Sequence, residues 1–193
     1  MASDIEALAG FGDVLLIRPR RIQDIRGYFS ETYRESELAA YGVPTRWVQE
    51  NQSFSARRGT LRGMHFQKPP HAQAKLVRCI TGTVLDVVVD LRPGSPAYGK
   101  HGSVQLSGEN GLQIYVPAGF AHGFCTLTDD CRLLYKTSDY YAPAYDAGVA
   151  FDDSALGIEW PFSTGELVVS ERDRNLPPLA DLAGVFALED GEA

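Results

Sequence analysis

At 193 residues, with 44% hydrophobic and 22% charged side chains, the chain has the length and composition of a folded globular domain. Its formal net charge of -7 excludes general nucleic-acid binding, since the basic runs Arg18-Pro19-Arg20-Arg21 and Arg57-Arg58 are too short to track phosphates. No apolar run approaches the roughly 18 to 20 residues a spanning helix needs and no secretory pattern opens the chain, so a cytoplasmic protein with no membrane partner is expected.

Helical signals are few along the chain. Ser36 is placed to cap a short helix through Glu37-Leu38-Ala39-Ala40 that stops at Gly42, and Leu179 to Leu188 reads as a terminal helix. Between them, short β-rich runs alternate with turn residues. In the run from Gly82 to Leu91, Leu85, Val87, Val89 and Leu91 make one apolar face while Asp86 and Asp90 fall on the other. That alternation predicts a strand with one side in a core. Pro93-Gly94-Ser95-Pro96 breaks it, and Ser103 to Leu106 starts the next strand. Gly108-Glu109-Asn110-Gly111 is expected to turn that strand into Leu112 to Val116 as a hairpin, and Phe124 to Leu127 and Arg132 to Thr137 continue the pattern. Many short strands with few crossovers predict an antiparallel sandwich or barrel of jelly-roll type, whose mouth is a natural ligand pocket. No repeat or linker divides the chain, so one domain over 1-193 is expected.

The segment from Gly59 to Lys75 carries the chemistry. It packs Arg62, His65 and Lys75 into one strand-and-turn stretch. A guanidinium, an imidazole and an ammonium can hold an anion, take a proton and steady a negative oxygen, which is what enolate chemistry requires. Each alone reads as a surface residue; their coincidence with longer motifs is what singles them out. The three cysteines, Cys79, Cys125 and Cys131, cannot pair completely and form no Cys-x-x-Cys. Cys79 and Cys125 sit beside apolar runs and read as small core residues.

From Gly111 the chain reads G-x5-P-x-G-x2-H through Pro117, Gly119 and His122, which resembles the second motif of the cupin superfamily, with Thr126 where that motif ends in asparagine. From Gly59 it reads G-x5-H at His65, resembling the start of the first motif. There the likeness fails, because His65-Phe66-Gln67 and His71 replace His-x-His and glutamate. A metal set of His65, His71 and His122 would lack a carboxylate, so no metal and no cofactor is expected. The departure points to one branch. Arg26 to Glu31, Gln49-Glu50-Asn51, Leu61 to Gln67, Lys75 to Arg78, Pro117 to Phe124, Leu134-Tyr135-Lys136 and Gly157 to Pro161 together resemble the dTDP-4-dehydrorhamnose 3,5-epimerase family. The likeness runs from about Val14 to about Asp173. It implies an all-β, cupin-type jelly-roll barrel with a few short helices, its core at about 14-178 between an N-terminal arm and a C-terminal tail.

The resemblance also implies a reaction: removal and return of protons at carbons 3 and 5 of a thymidine-diphosphate 4-keto-6-deoxy sugar. A base and an acid on opposite sides of the sugar are then required. By resemblance His65 is the base, Asp173 its orienting partner and Tyr135 the acid, while Lys75 faces the developing charge on the 4-oxygen with His122 or Arg62 nearby. Arg26, Glu31, Gln49, Asn51 and Arg62 match positions that hold the nucleotide. Tyr141 is expected as a flat wall, and Asp146 stands where the family often has a glutamate. The family forms dimers, and the apolar run Val14 to Ile17 is expected to extend a partner's sheet. Competing readings are a relative that inverts only carbon 3 or carbon 5, a metal-dependent cupin, and a sugar-nucleotide binding module without catalysis.

Overall fold

The computed structural model describes residues 3–182 and 184–186. Among the described residues fourteen strands dominate: β1 (Asp4–Leu8), β2 (Phe11–Arg18), β3 (Arg21–Asp24), β4 (Gly27–Ser30), β5 (Gln49–Ser55), β6 (Thr60–Gln67), β7 (Lys75–Thr81), β8 (Thr83–Asp90), β9 (His101–Ser107), β10 (Gln113–Val116), β11 (Phe120–Thr126), β12 (Cys131–Thr137), β13 (Asp146–Gly148) and β14 (Val168–Val169). Two short helices, α1 (Glu35–Ala39) and α2 (Glu171–Arg174), complete the set with 3-10 turns. One sheet has the order β1-β2-β10-β7-β12-β5; the other runs β13-β6-β11-β8-β9, with β14 pairing β6 in parallel. From β5 to β13 successive strands alternate between these sheets except at the β8–β9 pair, so this is an all-β jelly roll.

Three apolar clusters hold the layers together. Val14, Val77, Val84, Val88, Ile114, Phe124 and Leu133 fill the space between the sheets. Val87, Val89, Leu61 and Met64 pack outward under Phe151, Leu156 and Leu167 of the C-terminal half. Leu15, Ile17, Leu76 and Tyr115 lie beneath Leu38 of α1. Each fully buried aliphatic contributes about 1.5–3 kcal/mol relative to exposure. Strand β8 is therefore buried on both faces, not one: the C-terminal wrap covers its odd positions, while Asp86 and Asp90 point inward at 0% exposure.

Several sequence expectations are corrected. The turn Gly108–Gly111 does not close a hairpin, because β9 pairs β8 in one sheet and β10 pairs β2 and β7 in the other. Its amides are satisfied locally instead: Asn110 Oδ1 accepts from Ser107 N and Leu112 N, both at 3.0 Å. Val14 to Ile17 cannot extend a partner's sheet, since β2 lies between β1 and β10 of its own chain. Residues ahead of Val14 contribute β1 and the buried Leu8 and Phe11 to the core rather than a separate arm. Ser36 lies inside α1, which starts from Arg34 without a side-chain cap; Glu35 and Glu37 occupy its first turn. Leu179–Leu182 is a 3-10 turn, with Gly184 beyond it at φ +82°, and residues 183 and 187–188 of the expected helix lie outside the described residues.

One irregularity decides which side chains β6 can present together. His122 pairs His65 and Phe124 pairs Arg62, so β6 spends one more residue than β11 between these pairs. Gly63 in that interval has φ +130°, and a Cβ there would lie 2.6 Å from the Gly123 Cα. We predict that Gly63→Ala costs about 2–4 kcal/mol, from left-handed strain plus overpacking. Urea unfolding checks this, and an unchanged midpoint would mean that the β6–β11 seam has room to spare.

Candidate active site

Between the sheets the barrel opens into a cavity of about 570 Å³. One wall is β6 and β11, bearing Arg62, His65 and His122; the opposite wall is β7 and β12, bearing Lys75 and Tyr135. Residues of α2, Arg172 and Asp173, close the side. A second cavity of about 400 Å³ shares His65, Lys75, Tyr135 and Arg172 with the first and adds Gln49, Asn51, Tyr141 and Asp146.

His65 is oriented by a carboxylate. Its Nε2 lies 2.7 Å from Asp173 Oδ1, and Asp173 Oδ2 accepts from Gly63 N at 3.2 Å. An acceptor-only partner makes Nε2 the donor and leaves the lone pair on Nδ1, where a proton can be taken. Asp173 is itself fixed by the local fold: Ser170 caps α2 by accepting from Asp173 N at 3.1 Å. Burial alone would push the Asp173 carboxyl up, but the bonds from His65 and Gly63 and the charge of Arg172 hold it below its ordinary value.

Lys75 faces this pair from the other sheet, its Nζ donating to the His65 carbonyl oxygen at 3.3 Å. Burial lowers its pKa to about 8, against the opposing pull of Asp86 and Asp146. His122 Nε2 sits 3.0 Å from both oxygens of Asp86. Burial raises the Tyr135 hydroxyl above its ordinary pKa, with Arg62 pulling it back, so the phenol keeps its proton at neutral pH. This wall can therefore hold a charged ammonium beside an un-ionised O–H donor.

The remaining expected residues divide into two groups. Arg62 spans the rim, with Nε donating to Ser55 Oγ at 3.2 Å and Nη2 to the Phe54 carbonyl at 3.0 Å. Gln49 Nε2 donates to Asn51 Oδ1 at 2.9 Å, and Tyr141 O–H donates to Asp146 Oδ2 at 2.9 Å. Arg26 and Glu31 are elsewhere: they pair with Asp24 and Arg34 and line neither cavity. His71 also stands apart, bonded to Asp139 at 2.9 Å. Among the described residues no three His, Cys, Asp or Glu side chains are grouped to hold a metal ion.

Two residues at the site escape sequence reasoning. Arg172 bonds Asp146 at 2.7 Å and lines both cavities. Its one signal in the sequence is its place beside Asp173. Asp86 reads as the solvent side of a strand, and only the C-terminal wrap over β8 reverses that reading.

Comparison with known proteins gives a consistent result. The sequence profile described as dTDP-4-dehydrorhamnose 3,5-epimerase matches residues 9–181. A dTDP-4-dehydrorhamnose 3,5-epimerase of Sinorhizobium fredii is 51% identical over 174 residues, covering 90% of this chain and 89% of the relative. The crystal structure of such an epimerase from Bacillus anthracis with TDP and PPi bound superposes with a TM-score of 0.88 at 42% identity, over 92% of this chain and 99% of that one. That of a dTDP-6-deoxy-D-glucose-3,5-epimerase from Legionella pneumophila in complex with dTDP-4-keto-L-rhamnose gives 0.86 at 36% identity, over 94% and 97%.

The Asp173 geometry predicts a pH-dependent cost for Asp173→Asn. A carboxyl held low in the folded state stabilises it fully above the ordinary value of 3.8 and loses that contribution as pH falls through the depressed value. Asp173→Asn should therefore lose about 1–3 kcal/mol at pH 7, with the gap to the parent shrinking below 3.8. Urea midpoints across that range decide it; a gap that does not vary with pH would mean that the buried charge contributes nothing to stability.

Proposed function

The chain belongs to the dTDP-4-dehydrorhamnose 3,5-epimerase family, and we propose that it inverts carbons 3 and 5 of dTDP-4-dehydro-6-deoxy-D-glucose. The product is then dTDP-4-dehydro-L-rhamnose, on the way to dTDP-L-rhamnose. The observation that carries this reading is the separation of His65 and Tyr135 onto opposite walls of one cavity.

In this reading His65 Nδ1 takes the proton from carbon 3 on one side of the sugar, and the electron pair moves onto the 4-oxygen as an enolate. Asp173 stabilises the imidazolium that forms. The Lys75 ammonium faces the enolate oxygen, in a setting where apolar neighbours Val77, Phe124 and Leu133 strengthen its field. Tyr135 then gives its proton to the carbon from the other side, inverting it, and recovers one from solvent while the His65 imidazolium releases its own to solvent. Carbon 5, also next to the ketone, follows the same course. Arg62, Arg172, Gln49 and Asn51 are assigned to the nucleotide diphosphate end, with Tyr141 as its wall and Asp146 holding Tyr141 and Arg172 in place.

We place Arg26 and Glu31 at the site through a homodimer. The β3–β4 hairpin around Arg26 exposes Ile22, Ile25, Tyr28 and Phe29, with Ile25 at 105%. A second copy would cover that apolar tip and receive Arg26 and Glu31 at its own cavity. The chain is proposed to act as one domain in the cytoplasm, a setting that three unpaired, buried cysteines support.

Turnover of the 4-keto-6-deoxy nucleotide in deuterated water tests the reaction, with label expected at carbons 3 and 5. His65→Ala should abolish exchange at both carbons while nucleotide binding changes little. In Tyr135→Phe the enolate still forms and His65 can return the proton to its original side, so exchange should outlast inversion, which drops by about two to four powers of ten. Inversion at an unchanged rate would remove Tyr135 from the mechanism. The pH profile adds a signed expectation: Lys75 must be protonated, so kcat/KM should fall as pH rises through about 8, and a flat profile to pH 10 would exclude that role.

A further inference from the structure

Asp86 is a buried carboxylate beside the cavity that the proposed reaction leaves without a task. It sits on the inward face of β8 between Val84 and Val88, at 0% exposure, with apolar neighbours along its own strand. An unpartnered charge in such a position is strongly disfavoured. Here both oxygens converge on His122 Nε2 at 3.0 Å, and His122 is itself only 8% exposed. Strand β11 lies between β8 and β6, so His122 is the side chain that joins Asp86 to the strand bearing His65.

Building on the epimerase reading, we propose that Asp86 is a positioning residue, which fixes the His122 ring and keeps the Lys75 ammonium charged opposite the reacting oxygen. Lys75 donates to the His65 carbonyl and shares the cavities with the His65 ring from β6, His122 from β11, Tyr135 from β12, Asp146 from β13, Asp173 from α2, and Arg62 and Arg172 at the rim. Of the two carboxylates among these, Asp146 is committed to Arg172 at 2.7 Å and Tyr141 at 2.9 Å, and Asp173 to His65 at 2.7 Å. Asp86 is the larger of the two carboxylate influences that raise the Lys75 pKa against burial. Around Asp86 itself stand His122, Lys75 and the Cys79 thiol, which burial keeps protonated with a pKa of about 11. Among these neighbours no other negative charge is available to take over its role.

Removing a nearby negative charge favours the neutral amine, so Lys75 should lose its proton at lower pH in Asp86→Asn. The chain's four lysines, Lys68, Lys75, Lys100 and Lys136, make this measurable by carbon-13 lysine NMR on the ligand-free protein, with Lys75→Met identifying the signal. The Lys75 midpoint should fall by about one pH unit in Asp86→Asn and stay near the parent value in Asp86→Glu. In turnover, kcat of Asp86→Asn should fall further at pH 8 than at pH 6.5, while KM changes little. A Lys75 midpoint shared by parent and Asp86→Asn overturns the proposal. If Asp86→Asn does not fold, Asp86→Ser, which leaves room for water beside His122, carries the same expectation, and failure of both to fold assigns Asp86 to the fold alone and also overturns it. A parent enzyme without epimerase turnover would defeat the functional reading, yet the Lys75 titration would still judge Asp86.

Discussion

The site depends on one extra residue in β6. In a regular strand Arg62 and His65, three positions apart, would face opposite sides of the sheet. Because β6 places three steps against two of β11, both reach the same cavity. Gly63 makes this possible, since its backbone takes φ +130° and its missing Cβ lets Gly123 approach. The irregularity also frees an amide from the ladder. That amide is the Gly63 N–H bonded to Asp173 at 3.2 Å, so the same local device aims His65 and anchors the carboxylate behind it.

The barrel interior is divided by polarity. Val14, Val77, Ile114 and Leu133 close its depth, and charged groups gather toward the mouth. Each carboxylate there has a specific partner: the buried Asp173 with His65, the buried Asp86 with His122, and the partly buried Asp146 with Arg172. Replacing such a pair whole by apolar residues changes stability little, because desolvation offsets most of the attraction, whereas removing one partner leaves the other unpaired and costs more. Lys75 differs, with burial dominating over the carboxylates that oppose it. The fold tolerates this cost at the position where a developing negative oxygen would relieve it.

Much of this is legible in the sequence, though unevenly. The strand-rich pattern and the G-x5-P-x-G-x2-H spacing point to a jelly roll, and His65, Lys75, Tyr135 and Asp173 do share one cavity. What local patterning does not show is which sheet a strand joins. Gly108–Gly111 has the chemistry of a hairpin turn, yet its flanking strands separate because each finds its partners elsewhere. Asp86 misleads for a related reason: alternation reports two different environments, not which of them is water. The long-range wrap of Phe151, Leu156 and Leu167 decides that, and it lies more than sixty residues away in the chain.

The proposed two-sided proton transfer would place a particular demand on this architecture. His65 and Tyr135 come from strands far apart in sequence that belong to different sheets, so their opposition rests on register in both sheets at once. A slip of one residue in either strand would turn its key side chain away from the cavity. On one side the Gly63–Gly123 contact locks β6 against β11. On the other, Tyr135 is flanked by Asn51 of β5 and Val77 of β7, and β12 is paired along both edges. A strand held on two sides has no edge along which to slide. The geometry that separates His65 from Tyr135 is thus set by backbone pairing and packing, and in the proposed reaction substrate binding would have only to place the sugar between walls already fixed.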